Sequence, residues 1–156
     1  MSLIMVQDAR EKKEHHDNIA EFCKKINLPI IRKVLNVGDY RLANINNKNI
    51  AFINNISVDI KGGGLNELAN DLYRDKLAFN KKYKKCLQDN VNLIVLVEEP
   101  IKDLKELIYW TSPHTKITGR FLLDMIHTLK ISYGIRFMFC DKKNTANLLL
   151  KLLKNE

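Results

Sequence analysis

A chain of 156 residues with 46% hydrophobic content is long enough to bury a substantial core as one globular domain. Its 26 lysines and arginines outnumber 18 acids, giving a formal charge of +8, so it is built to attract polyanions, nucleic acid first among them. No apolar run approaches the roughly 20 residues that span a bilayer, and the N-terminus has no signal-peptide pattern. The expectation is a soluble intracellular protein, cytoplasmic or nucleoid-associated, with no membrane partner.

In chain order, Leu3-Ile4-Met5-Val6 reads as a buried strand, and Asp8-Ala9-Arg10-Glu11 follows where that strand leaves its sheet. A helix is expected from Glu14 to Ile26, with Ile19, Phe22, Cys23 and Ile26 on one face. After Pro29 comes a strand running through Leu35, then a β segment opened by Gly38-Asp39-Tyr40. The asparagine-rich stretch from Asn44 to Asn55 reads as turns around a short strand, Ile50-Ala51-Phe52-Ile53, in a β meander that ends at Val58-Asp59-Ile60-Lys61.

Three glycines, Gly62, Gly63 and Gly64, stand where the next helix begins, so this strand end can open onto space that another molecule enters. A long helix from Leu65 to Gln88 carries the stripe Leu65, Leu68, Leu72, Phe79, Tyr83 and Cys86, and Lys76 falls on it. An inward lysine is costly unless its charge meets an anion or water, so either the helix breaks near Arg74 or Lys76 turns into a cleft. Leu93 to Val97 is apolar throughout, as in the centre of an α/β sheet, and Glu98 and Glu99 lie at its exit. A helix over Lys102 to Trp110, a loop with Pro113 and Gly119, a helix to Ile131, a strand Ile135 to Phe139 and a helix Asn144 to Leu152 follow. The fold class expected is three-layer α/β with a mixed central sheet flanked by helices.

The chemistry concentrates at two acids. Side chains alternate along a strand, so Asp59 and Lys61 share one face while Ile60 turns to the other. Two carboxylates on adjacent strands can hold a hard divalent cation and leave positions for water and phosphate, with the lysine beside them. Lysines Lys81, Lys82, Lys84 and Lys85 bracket Tyr83, and Arg120 and Lys116 sit where a cleft border is expected, but no base-reading module is visible. Cys23, Cys86 and Cys140 are odd in number and set among apolar residues, which reads as reduced, buried thiols. The four histidines have no zinc spacing.

Together the segments Asp8-Ala9-Arg10-Glu11, Gly38-Asp39-Tyr40 and Val58-Asp59-Ile60-Lys61 resemble, in order and spacing, the nuclease domain of the xeroderma pigmentosum group F family. That family is a branch of the PD-(D/E)xK nucleases. Its pattern is Asp-x-Arg-Glu, Gly-Asp-aromatic and Glu-Arg-Lys. Here the last has become Asp59-Ile60-Lys61, one methylene shorter and without the arginine, and Lys76 stands where the family carries an arginine on the next helix. The stretches Leu93 to Glu98 and Tyr133 to Asp141 look like the family's later strands.

The resemblance implies a restriction-endonuclease-like fold over residues 1–156 as a single nuclease domain, without the helix-hairpin-helix domain of many relatives. It implies a Mg²⁺-dependent DNA endonuclease, Mn²⁺ substituting, that cuts at branched or single-strand/double-strand junction DNA in repair or recombination. The alternatives are a Holliday-junction resolvase, a mobile-element nuclease, or a catalytically silent DNA-binding subunit. Asp39, Asp59 and the main-chain carbonyl of Ile60 are then the expected metal ligands, and Lys61 the residue that orients water. Glu11 and Asp8 are further catalytic candidates, through a metal contact or by fixing Arg10. Arg10, Lys76, Lys81, Lys85 and Arg120 are the expected DNA contacts. DNA is the expected partner, with a homodimer or heterodimer in view.

Overall fold

Residues 2–10, 16–74, 76–113 and 115–156 are described by the computed structural model of the chain, with the backbone alone for 76–78. Among them the strands are β1 (Ser2–Asp8), β2 (Ile30–Lys33), β3 (Tyr40–Asn46), β4 (Asn49–Phe52), β5 (Ile56–Lys61), β6 (Asn92–Glu98) and β7 (Arg136–Cys140). The helices are α1 (Asp17–Lys25), α2 (Gly64–Arg74), α3 (Lys76–Gln88), α4 (Gly119–Tyr133) and α5 (Thr145–Leu153). The strands form one mixed sheet in the order β2-β1-β3-β5-β6-β7, with β4 paired to β3.

The sheet has two halves of different character. In the first, β1 runs antiparallel to β3, β3 antiparallel to β4, and β2 parallel to β1. In the second, β5, β6 and β7 are parallel, joined by crossovers through α2, α3 and α4. A single register pair, Tyr40 with Val58, links β3 to β5 across the boundary.

Alternation along the central strands sorts the core. Val58, Ile60, Ile94 and Leu96 pack with Ile19 and Cys23 of α1 and Leu149 and Leu153 of α5. Val95 and Val97 face the other way, against Leu68 and Leu72 of α2, Tyr83 and Cys86 of α3, and Leu122 and Ile126 of α4. Helices thus cover both faces, the three-layer arrangement expected. A smaller cluster of Ile4, Val6, Leu35 and Ala43 closes the antiparallel half.

Over the stretch expected as one long helix, α2 runs to Arg74 and α3 from Lys76 to Gln88, and Asp75 between them lies outside the described residues. The side chain of Lys76 lies outside the described residues. One element differs from the sequence reading. The helix expected over Lys102 to Trp110 is a 3₁₀ turn, Leu104–Tyr109, whose start is capped by the Asp103 carboxylate accepting from the Lys105 N–H at 3.0 Å. Cys23 and Cys86 are buried free thiols, each pushed up to about 11 first by burial, and Cys140 is half-buried. No helix among the described residues is long and apolar enough to cross a membrane.

The glycines near the two acids are not equivalent. Gly38 has φ +80, and a Cβ there would collide with the Ser57 hydroxyl, whereas a Cβ on Gly62 would meet nothing within 4 Å. Gly38→Ala should therefore cost about 2 kcal/mol through left-handed backbone strain and the clash. Gly62→Ala should stay within about 0.5 kcal/mol of the wild type. Urea denaturation of both variants checks this contrast.

Candidate active site

Asp39 sits just before β3, where the ladder to β5 is about to end. Its N–H donates to the Val58 carbonyl at 2.8 Å, and its carboxylate Oδ2 accepts the Ile60 N–H at 2.8 Å. The side chain thus takes the place of the next backbone acceptor, satisfying a buried donor that the diverging strand leaves behind. Gly38 makes the approach sterically feasible, and the Ser57 hydroxyl locks the turn by donating to the Val37 carbonyl at 2.7 Å.

From the other side the turn is held by β1. The Asp8 N–H donates to the Asp39 carbonyl at 2.7 Å, while the Asp8 carboxylate accepts the Leu35 N–H at 3.0 Å and the Arg10 Nε at 3.1 Å. Arg10 returns through Nη2 to the Leu35 carbonyl at 2.5 Å. Asp8 and Arg10 clamp the segment that delivers Asp39. Tyr40 anchors its far end, because its buried hydroxyl accepts from Gln7 Nε2 at 2.8 Å and lies 2.5 Å from His16 Nδ1.

β5 is buried along its whole length although Ser57, Asp59 and Lys61 line one face of it. A buried polar row demands partners. Asp59 meets two ammonium groups, Lys82 of α3 in a close ion pair and Lys61 at 3.5 Å. Lys61 makes its shorter contact to Asp71 of α2, at 2.8 Å. Asp39, held on the Ile60 N–H one residue beyond Asp59, lines the same cavity as Asp59.

These neighbours decide the protonation states. Burial pushes the Asp59 carboxyl upward, but the Lys82 and Lys61 ammonium groups beside it outweigh this, holding Asp59 well below the usual carboxylate range. Burial pulls Lys61 down, yet Asp59 and Asp71 more than offset this and keep it charged far into alkaline solution. Glu67 is raised chiefly by burial, against a hydrogen bond from the Gly63 N–H.

The pair opens into a cavity of about 470 Å³ lined by His16, Asp39, Asp59, Ile60, Lys61, Glu67, Glu98 and Lys142, with Gly62 and Gly63 at the rim. The two glutamates after β6 diverge in role. Glu99 accepts the Leu65 N–H at 3.3 Å at the start of α2. Glu98 faces the cavity with a buried Oε2 that has no hydrogen-bond partner among the described residues, and burial raises its carboxyl despite a bond to Thr145.

The structure therefore brings Asp39, Asp59, Ile60 and Lys61 together and places Asp8 and Arg10 behind them as supports. Glu11 lies outside the described residues. Lys81 and Lys85 are exposed on α3 and Arg120 on α4, and none of the three lines the cavity. Sequence reading missed the partners supplied by helices: Lys82, Asp71, Glu67 and Lys142. Part of the signal was available, since Lys82 follows Phe79 by three residues and so flanks the inward face of α3, while Glu67 and Asp71 are one helical turn apart.

No protein-family model matches the sequence, and no curated protein does. Among solved structures, XPF from Aeropyrum pernix matches with TM-score 0.64 and 21% identity over 97% of this chain. The fold is that of XPF. A second structure of the Aeropyrum pernix XPF, in complex with DNA, matches with TM-score 0.63 and 20% identity. The chain spans 63% of the length of each of these XPF chains. The mixed α/β sheet of the restriction-endonuclease-like class is thus shared with XPF along nearly the whole chain.

The charge balance around Asp59 has a pH signature. A carboxyl whose folded pKa is depressed contributes stability above its unfolded value, near 3.9, and loses it as pH falls through the folded one. The stability difference between wild type and Asp59→Asn, measured in EDTA by urea denaturation, should be constant from pH 5 to 8 and shrink steadily below about pH 4.

Proposed function

We propose that this chain is a metal-dependent DNA endonuclease that hydrolyses phosphodiester bonds near a branch or a single-strand/double-strand junction, in repair or recombination. The observation that carries the reading is the buried pair Asp39 and Asp59, delivered side by side from two strands, with Lys61 two residues on. The likeness to XPF, one structure of which holds DNA, supports it. So does the charge of +8.

The donor chemistry fits a hard divalent cation. No three His, Cys, Asp or Glu side chains among the described residues form a ready cluster for an ion. Mg²⁺ does not need one, since it commonly binds through one or two carboxylates and keeps several waters. Asp39 and Asp59 would hold it, with the Ile60 carbonyl, which leaves the strand on the same edge as the N–H that Asp39 accepts. A bound ion would neutralise charge on the scissile phosphate and the departing oxygen.

The remaining work falls to the chain. Lys61 is kept charged by Asp59 and Asp71, so it has no lone pair with which to take a proton. Its role is to donate a hydrogen bond to the attacking water and fix the line of attack. Asp71 and Phe79, whose ring centroid lies 5.1 Å from the Lys61 ammonium, hold it in place. Asp8 and Arg10 position Asp39. DNA contacts divide between the exposed α3 lysines, Lys81 and Lys85, and Lys142, which already lines the cavity. A catalytically silent DNA-binding subunit is the second reading, favoured by the lysine that already occupies Asp59.

Flap, fork, four-way and linear substrates with Mg²⁺ or Mn²⁺ separate the two readings. The endonuclease reading expects ion-dependent cutting of a branched substrate. It also expects Asp39→Asn and Asp59→Ala to lose at least about 10³-fold in rate while binding persists. Binding without cutting in every ion would establish the silent subunit. Salt titrations then locate the DNA: replacing the lysines on its path, two at a time by glutamine, should flatten the salt slope of binding by about 1–2. Lys81 with Lys85, and Lys142 with Lys143, are the two pairs to compare.

A further inference from the structure

Asp59 has two lysines, and they are not equivalent. Lys61 is committed to Asp71 at 2.8 Å and stands 3.5 Å from Asp59, with its side chain only 9% exposed. Lys82 makes the closer contact to the same Asp59 oxygen, Oδ2, has no other acid within ion-pair distance among the described residues, and is 27% exposed. Its ammonium lies 5.4 Å from the Phe79 ring centroid. Lys61 is locked between two acids. Lys82 is held by one and has an outward route along its own flexible stem.

A buried carboxylate is costly unless positive charge stands beside it. In the absence of a divalent cation, Lys82 supplies it at Asp59. An incoming cation would meet that ammonium on the very oxygen it seeks, in a site too buried for water to screen the repulsion. We propose that Lys82 is a tethered counter-ion at Asp59: it occupies the Asp59 carboxylate before an ion arrives, and is displaced when a divalent cation binds. The inference rests on the ion-site reading above, and it makes Lys82 a positioning residue that competes with the metal.

Mn²⁺ titrations of the full chain without DNA, with free Mn²⁺ followed by electron paramagnetic resonance, test this directly. Lys82→Met should bind Mn²⁺ about tenfold more tightly than wild type, as expected when a coupled competitor is removed. Lys82→Gln should show the same tightening and serves if the methionine variant folds poorly, whereas Lys82→Arg should stay near wild type. Asp59→Asn should lose the site. Without ion, Lys82→Met should melt below wild type, and Mn²⁺ should raise its Tm by more. Unchanged or weaker binding in both neutral variants, with the site still lost in Asp59→Asn, would overturn the counter-ion role and leave the ion site standing. If neither wild type nor the Lys82 variants bind Mn²⁺ at a site that Asp59→Asn removes, the counter-ion role and the ion-site reading both fall.

Discussion

The hydrogen bond from the Ile60 N–H to the Asp39 carboxylate is the contact on which the site depends. It closes the sheet where backbone pairing between β3 and β5 has narrowed to the single pair of Tyr40 and Val58. Because a side chain supplies the missing acceptor, the two strands can diverge without leaving a buried donor unsatisfied. The divergence creates the cavity, and the same bond sets the Asp39 carboxylate beside Asp59. Opening and acid placement are one structural event.

Around that bond the molecule spends much of its buried polar chemistry. Asp8, Arg10 and Ser57 fix the approach to Asp39 through backbone groups at Leu35 and Val37. On the other side, Asp59 and Lys61 are balanced by Lys82 and Asp71 from two helices. Buried ion pairs of this kind contribute little net stability, since desolvation offsets much of their attraction. Their effect is on geometry and protonation: Asp59 stays charged and Lys61 stays an ammonium.

What could be read from the sequence follows from what is local. Strand β6 was legible because five apolar residues in a row have no other place than the middle of a covered sheet, and the face shared by Asp59 and Lys61 follows from strand alternation alone. The acid of Gly38-Asp39-Tyr40 was legible as a site residue only through a family pattern, since nothing local announces that its carboxylate will cap a neighbouring strand. Lys76 on an apolar stripe was a conflict that periodicity could detect but not resolve. Lys82 and Asp71 were hidden because their partners are distant in sequence, and a lysine in a basic run looks the same whether solvated or paired. The 3₁₀ turn after β6 was misread as a helix because the two differ by one residue in hydrogen-bond register.

The two-part sheet has a consequence for how the site comes into being. Asp39 belongs to the antiparallel half, built from neighbouring segments of the first third of the chain, and Asp59 to the parallel half, whose strands are joined by long helical crossovers. Neither half holds both acids. Local pairing is the quicker to form and crossover pairing the slower, so the carboxylates meet only when two subassemblies of different maturation dock. A chain in which only one half has formed therefore holds one acid without its partner. The Ile60 N–H, capped by Asp39 across the two halves, is the amide whose hydrogen exchange would report opening of the pocket.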